Sequence, residues 1–353
     1  MSEVVAARVA ELTGVARADV RVRARPPIDH QSNQLHDVWF GRRHLIAKEF
    51  LKSDEFTTAP VHEYRALELL APLDLAPRPV AIEPEPRPPL GPLVLYEFMP
   101  GTMWDRRRPA ADDLARLAEL WLAMHRVPTE GLWVSRGHGR PAADAEHWLR
   151  ASFRAYGQWV EAEFPEGRRG LDLCLELLER RRSVGQELDA HEPVACFCRA
   201  DTRFANVIAR PDGRLGMVDW EDSGLRDPAK DLADLATHPN QEDLLGPGDL
   251  MAFLGPYLAE RERLDPGLER RAQLYLAAFP VFWLAVLIGT GVRRAAAGAL
   301  AGWRVNGLPT NERLRRYLAR ATSWPSADFS AELAALGSLR FFPDQPSSES
   351  AVS

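Results

Sequence analysis

Residues 194–236 read VACFCRADTRFANVIARPDGRLGMVDWEDSGLRDPAKDLADLA. Two short apolar runs, Asn206-Val207-Ile208-Ala209 and Leu215-Gly216-Met217-Val218, flank Pro211-Asp212-Gly213. That arrangement predicts a β-hairpin. A third run, Val194 to Cys198, reads as a strand feeding the polar loop before the hairpin. Asp201 and Asn206 border that loop, and Asp219 and Glu221 follow the second arm. Short strands therefore deliver several carboxylate and amide oxygens to one place. Such a set can hold Mg²⁺ through oxygen ligands. A carboxylate set off the metal can take a proton from an attacking hydroxyl. Taken singly, each residue has a plainer role: Asp201 capping a turn, Asp219 ending a strand, Asn206 bonding its own backbone. Their concentration in one strand–loop–hairpin unit favours the chemical reading.

Three segments then line up in order. They are Asp201-Thr202-Arg203-Phe204-Ala205-Asn206, Val218-Asp219-Trp220-Glu221, and Asp227-Pro228-Ala229-Lys230-Asp231-Leu232-Ala233. Together the chain resembles the aminoglycoside phosphotransferase and choline kinase-like small-molecule kinases. That family carries D-x-x-x-x-N in its catalytic loop, a metal-binding aspartate before W/F-E, and D-P-x-x-D-L-A opening the next helix. The resemblance implies an α+β, bilobal, protein-kinase-like fold, with a small β-rich N-lobe and a large mainly α-helical C-lobe. It also implies ATP and Mg²⁺ as cofactors, Asp201 as catalytic base, and Asn206 and Asp219 as metal ligands with Glu221 as a helper. One departure stands out: the family's His-Gly before the catalytic aspartate is Arg199-Ala200 here. That histidine braces the loop and is not the base, so the exchange bears on loop geometry. Arg199 has two candidate partners, Asp219 and a substrate phosphate.

Composition narrows the alternatives. The chain has 353 residues, 46% apolar and 27% charged, an ordinary globular balance with room for two lobes. Forty-four Lys and Arg against fifty Asp and Glu give a net charge of −6, which argues against a nucleic-acid partner held by a general basic field. Cys174, Cys196 and Cys198 are too few for a disulfide framework and lack zinc-site spacing, so they read as small buried side chains. Met1 to Val15 lacks the apolar core of a secretory signal. The apolar run Leu274 to Val292 contains Pro280, Gly289 and Gly291 and reads as a buried central helix in preference to a membrane span. The expectation is a cytoplasmic protein, monomeric or homodimeric, with no membrane partner.

Earlier in the chain, Val5, Val9 and Leu12 recur at helical spacing. Asp37 to Phe40 and His44 to Phe50 form a predicted hairpin around Gly41-Arg42-Arg43, with Lys48 in its second arm. A strand lysine is ordinarily solvated. The resemblance instead makes Lys48 the nucleotide-phosphate lysine. The loop before it, Asp29 to Gln34, has no glycine, so it is not a G-x-G-x-x-G loop; Ser32 and Asn33 are its candidate phosphate donors. Val61 to Leu70 reads as a helix with Glu63 in its first turn. Glu63 is either an acid favoured by the helix dipole or, by resemblance, the ion-pair partner of Lys48. A proline-rich connection follows over 72–92, then Glu97-Phe98-Met99-Pro100-Gly101, the position of the family's adenine-binding hinge. The expected division is 1–100 for the nucleotide-binding lobe, 101–342 for the catalytic and substrate-binding lobe, and 343–353 for a flexible tail.

Beyond residue 111 the chain reads as helices, with Pro256 and Pro280 expected to kink or break two of them. Only eight positions separate Asp219 from Asp227, too few for the peptide-docking segment of a protein kinase. The resemblance implies that the acceptor is a small molecule with a hydroxyl: an aminoglycoside, a sugar, choline or an amino alcohol. Acidic residues such as Glu161, Glu163 and Glu166 suit a polycation. Trp148, Trp159, Trp220, Trp283 and Trp303 suit a quaternary amine, and the Arg293–Arg316 cluster suits an anion. Each set also has a plain structural explanation. Arg199-Ala200 motivates one alternative, a nucleotide-binding pseudokinase with a regulatory role.

Overall fold

The computed structural model describes residues 2–26, 33–51, 58–104, 108–135, 141–241, 244–300, 304–305, 308–322 and 330–343, with backbone alone at 141–148, 247, 304–305 and 308–309. The expected tail beyond residue 343 and candidate Ser32 lie outside the described residues. The chain divides into two compact units: Met1–Arg107, Asp112–Arg136 and Ala195–Arg226 form the first, and Arg108–Ala111, Gly137–Val194 and Asp227–Ser353 the second.

The first unit is built on a five-stranded antiparallel sheet in the order β1 (Arg21–Ala24), β2 (Asn33–Phe40), β3 (Arg43–Phe50), β5 (Leu93–Glu97), β4 (Pro79–Glu83). A two-residue turn joins β2 to β3, with Phe40 opposite Arg43. Gly41 sits there at φ +56°, the left-handed conformation such tight hairpins need. Strand alternation decides what each face carries. Leu45 and Ala47 of β3, with Val38 and Phe40 of β2 and Leu93 and Leu95 of β5, pack against Val5 and Val9 of α1 (Ser2–Thr13). Burying each such Leu or Val contributes roughly 1.5–3 kcal/mol. Lys48 alternates with Ala47 and so points away from α1. Opposite Lys48 on β5 stands Val94, and α2 (Ala59–Leu70) packs on β4 and β5. Glu63 falls in the second turn of α2, because the helix begins at Ala59, two residues before the sequence pattern suggests.

The remainder of this unit holds β6 (Thr102–Met103), α3 (Ala111–His125), β7 (Cys196–Cys198), β8 (Val207–Ala209), β9 (Leu215–Met217) and β10 (Gly224–Arg226). The predicted hairpin is present: Val207 pairs with Met217 and Ala209 with Leu215. β7 pairs antiparallel with β10, a short strand that carries no sequence periodicity.

The second unit is helical: α4 (Pro141–Glu163), α5 (Arg168–Arg180), α6 (Arg182–Asp189), α7 (Pro228–Thr237), α8 (Pro247–Arg261), α9 (Leu268–Ala296), α10 (Thr310–Ala321) and α11 (Ser330–Gly337), with the two-residue strands Arg304–Val305 and Leu308–Pro309. α5 ends at Arg180, and the short helix α6 follows directly after Arg181. Neither Pro256 nor Pro280 ends its helix. For Pro280, α9 packs along its length against α4, α6, α7 and α10, and that packing outweighs the roughly 3 kcal/mol a helical proline costs. By length and hydropathy α9 could cross a membrane, but 67% of its most apolar window is buried within the protein. It is the central helix that the sequence pattern suggests. Asp227 caps α7, accepting from the Ala229 amide at 3.0 Å, with Pro228 at the first helical position. Arg271 of α9 holds both Asp227 oxygens, at 3.0 and 3.2 Å.

Candidate active site

Lys48 is 2% exposed, and its ammonium faces three carboxylates. It donates to Glu63 Oε2 at 3.0 Å and to Asp219 Oδ1 at 2.5 Å, and lies 3.0 Å from Glu221 Oε2. Burial alone would lower the ammonium's pKa, but Asp219, Glu221 and Glu63 together hold it well above the ordinary value. Asp219 behaves conversely. Its burial would raise it, and the charges of Lys48 and Arg203 overcome that and hold it below the usual carboxylate range. For Glu63 burial prevails over Lys48, so its carboxyl is raised. Glu63 Oε2 also accepts the backbone N–H of Trp220, at 2.7 Å. One carboxylate on α2 therefore aims the lysine of β3 and fixes the Asp219-Trp220-Glu221 segment. Asn33, at the start of β2, donates to Glu221 Oε2 at 2.7 Å.

The loop from β7 to β8 carries the second cluster. Asp201 receives a two-pronged contact from Arg203, with Nε 3.0 and 2.9 Å from its two oxygens and the terminal nitrogen 2.6 Å from Oδ2. The Asn206 amide nitrogen lies 3.4 Å from the same Oδ2. Arg203 also reaches Asp219 Oδ2 at 3.6 Å, which joins the two clusters. Arg203 stands two positions after Asp201 inside the D-x-x-x-x-N segment. The sequence reading assigned it no role, and only its place in that loop could have signalled one. Asp201 and Asp219 remain 23% and 25% exposed at their side chains, so both are open to a ligand.

Of the partners considered for Arg199 from sequence, it meets Asp219, through that residue's backbone carbonyl. It is fully buried and bonds backbone, donating from Nε to the Asp201 carbonyl and from a terminal nitrogen to the Asp219 carbonyl at 2.8 Å. Its guanidinium lies 5.2 Å from the centre of the Trp220 ring. Arg199 thus braces the loop from β7 to β8 against the Asp219 segment. Ala200 beside it has φ +71° and Asp219 has φ +69°. A left-handed conformation costs a residue with a Cβ roughly 1–2 kcal/mol. Ala200→Gly is therefore expected to raise stability by about 0.5–1 kcal/mol, read as a higher urea midpoint. A lower midpoint would show that Ala200 makes compensating contacts.

The hinge candidates sit at the end of β5 and just beyond it. The Glu97 amide donates to the Arg78 carbonyl at 2.8 Å and the Phe98 amide to the His44 carbonyl at 2.9 Å, so both N–H groups are used within the unit. Phe98 stacks on His44. Met99 lies over Gly216 of β9, where any Cβ would meet its sulfur at 2.4 Å. Among the described residues, no hydrogen bond joins Glu97, Phe98 or Met99 to the Lys48 cluster. Of the tryptophans considered for an amine cage, Trp220 is fully buried, Trp159 and Trp283 are partly buried in the second unit, and the side chains of Trp148 and Trp303 lie outside the described residues. Arg313 of the basic cluster is buried and donates to the Pro239 carbonyl.

Carboxylate oxygens of Glu63, Asp219 and Glu221 lie within 4.8 Å of one another. These are all oxygen donors, which suit a hard cation such as Mg²⁺, while the Asn206 amide is placed by its contact with Asp201.

A family model described as a phosphotransferase enzyme family matches residues 24–274. A search of curated proteins gives no match. Solved structures give many. A choline kinase from Streptococcus pneumoniae aligns with a TM-score of 0.58 at 17% identity, over 91% of this chain and 99% of its own. A spectinomycin phosphotransferase, solved in complex with ADP and spectinomycin, aligns at 0.56 and 11% identity, over 96% of this chain and 97% of its own. An ethanolamine kinase from Plasmodium vivax aligns at 0.53 and 13% identity, over 89% and 85%. The α+β, protein-kinase-like fold implied by the sequence resemblance is the fold of these enzymes.

Proposed function

The chain belongs to the phosphotransferase enzyme family, and from that premise we propose that it transfers the γ-phosphate of ATP, with Mg²⁺, to a hydroxyl of a small molecule. The observation that carries this reading is the convergence on Lys48 of Glu63, Asp219 and Glu221, within 3.0 Å, from two separate parts of the sequence. Lys48, aimed by Glu63, binds the α- and β-phosphates of the nucleotide. Asn206 and Asp219, with Glu221 beside them, hold the cation. A cation held by these residues would supply charge neutralisation for the nucleotide's phosphates. Asp201 orients the acceptor hydroxyl and takes its proton, and Arg203 fixes the Asp201 carboxylate by its two-pronged contact. Most of the acceleration comes from positioning and from charges fixed in advance. Asn33 contributes by holding Glu221, with Ser32 and the 97–99 segment completing the nucleotide site. Acceptors in view are choline-like amines, amino alcohols, sugars and aminoglycosides.

Arg199-Ala200 motivated the pseudokinase alternative. The Arg199 contacts weaken that motive, because they brace the loop in the histidine's place. The test is acceptor-dependent ADP formation by the purified chain with Mg-ATP across a panel of those four acceptor classes. The expected result is ADP release that requires one acceptor class, with a phosphorylated product visible by ³¹P NMR, and that stops when Mg²⁺ is chelated. Mg-ATP binding without transfer to any class would instead favour the regulatory reading.

A further inference from the structure

A second cluster of ligating side chains lies in the first unit, apart from the carboxylates around Lys48. Strand alternation places Cys196 and Cys198 on the same side of β7. His125, the last residue of α3, meets them there. The two sulfurs are 3.7 Å apart, and Cys198 Sγ is 3.6 Å from His125 Nε2. The three ligand atoms all lie within 4.8 Å of one another. His125 and Cys196 are each 2% exposed and Cys198 is 0%. The Arg226 carbonyl of β10 adds an oxygen 3.7 Å from Cys198 Sγ.

These separations match a metal site. Zinc–sulfur and zinc–nitrogen bonds of about 2.3 and 2.0 Å at tetrahedral angles put two ligating sulfurs about 3.8 Å apart, and a sulfur and a nitrogen about 3.6 Å apart. We propose that His125, Cys196 and Cys198 form a buried binding site for a thiophilic d¹⁰ cation, zinc(II). Ligation converts both thiols to thiolates and leaves the imidazole neutral, so about two protons pass to solvent for each ion bound and no electron is exchanged. Soft sulfur donors here and hard oxygen donors around Lys48 sort zinc from magnesium between the two sites. Cys198 directly precedes Arg199, so a bound ion ties the end of α3 to the strand that enters the catalytic loop.

The test uses the untagged full chain, reduced with a phosphine, stripped with a chelator and titrated with Co²⁺ alone. The expected result is a thiolate-to-cobalt charge-transfer band that saturates near about one equivalent and is bleached by Zn²⁺. Below the thiol pKa, apparent affinity should rise by up to about a hundredfold per pH unit, the signature of two released protons. Zn²⁺ should also raise the melting temperature. Cys174→Ser, in α5 and outside the cluster, should keep the band, and the double variant Cys196→Ser, Cys198→Ser should lose it. Cobalt held by the carboxylates gives no thiolate band, so the two sites read separately. Absence of the band in the wild-type chain would overturn the proposal, as would its persistence in the folded double variant. Should that variant not fold, the wild-type titration and Cys174→Ser still decide.

Discussion

With Asp201 as the proposed general base, Asp201→Asn is expected to lower the rate of phosphoryl transfer by about a thousandfold, the middle of the range for loss of such a base. Nucleotide affinity should change little. The side chains that meet Lys48 are Glu63, Asp219 and Glu221, and Asp201 is not among them. Asparagine keeps the shape and the contact with Asn206, so the loop stays in place, while the proposed proton acceptor is gone. Arg203 loses a charged partner but is 35% exposed at its side chain, so water can solvate it. The split is the measurement: kcat for the best acceptor falls, and the dissociation constant for Mg-ATP, read by calorimetry, stays within about threefold. An Asp201→Asn protein with wild-type turnover would remove Asp201 as the base. An equal loss of turnover and nucleotide binding would place it in the nucleotide site.

Much of this site is legible in sequence because its chemistry is clustered. Asp201, Asn206, Asp219 and Glu221 fall within 21 positions, and the hairpin that spaces them announces itself through Pro211-Asp212-Gly213. Lys48 and Glu63 are legible only by resemblance. A lysine in a strand and an acid near a helix start carry no local signal that they meet, and their contact depends on which face of the sheet α2 covers. Arg199 and Arg203 show the limit in another way. Residue type predicts charge, yet one guanidinium bonds two carbonyls and the other grips a carboxylate, and backbone direction in the loop decides which. Cys196 and Cys198 share a strand face in the sequence pattern, but His125 lies 71 positions away from the nearer of them and joins them only through tertiary packing. The prolines of α8 and α9 fail as breakers for a related reason: local propensity yields to packing on a buried helix.

Arg199 carries the second large effect. Arg199→Ala removes donors from the Asp201 and Asp219 carbonyls at a position with no solvent access to replace them. Each buried acceptor left unsatisfied costs roughly 1–3 kcal/mol. Burial of the guanidinium lowers its own pKa, opposed by the nearby charges of Asp201 and Asp219, so deletion also relieves some desolvation. The lost carbonyl bonds, the lost compensation of two carboxylates and the cavity beside Trp220 outweigh that relief, for a net loss of about 3 kcal/mol. Turnover should fall by more than about a hundredfold, because Asp201 and Asp219 are held at their separation by the same side chain. Arg199→Met separates packing from bonding, since it fills the volume and donates nothing. It should recover part of the stability and little of the rate. Arg199→His with Ala200→Gly restores the family's pair and should recover rate as well, if a shorter donor can reach either carbonyl. Denaturant midpoints and kcat on the three variants check this ordering. Wild-type turnover in Arg199→Met would show that the loop keeps its geometry without the brace.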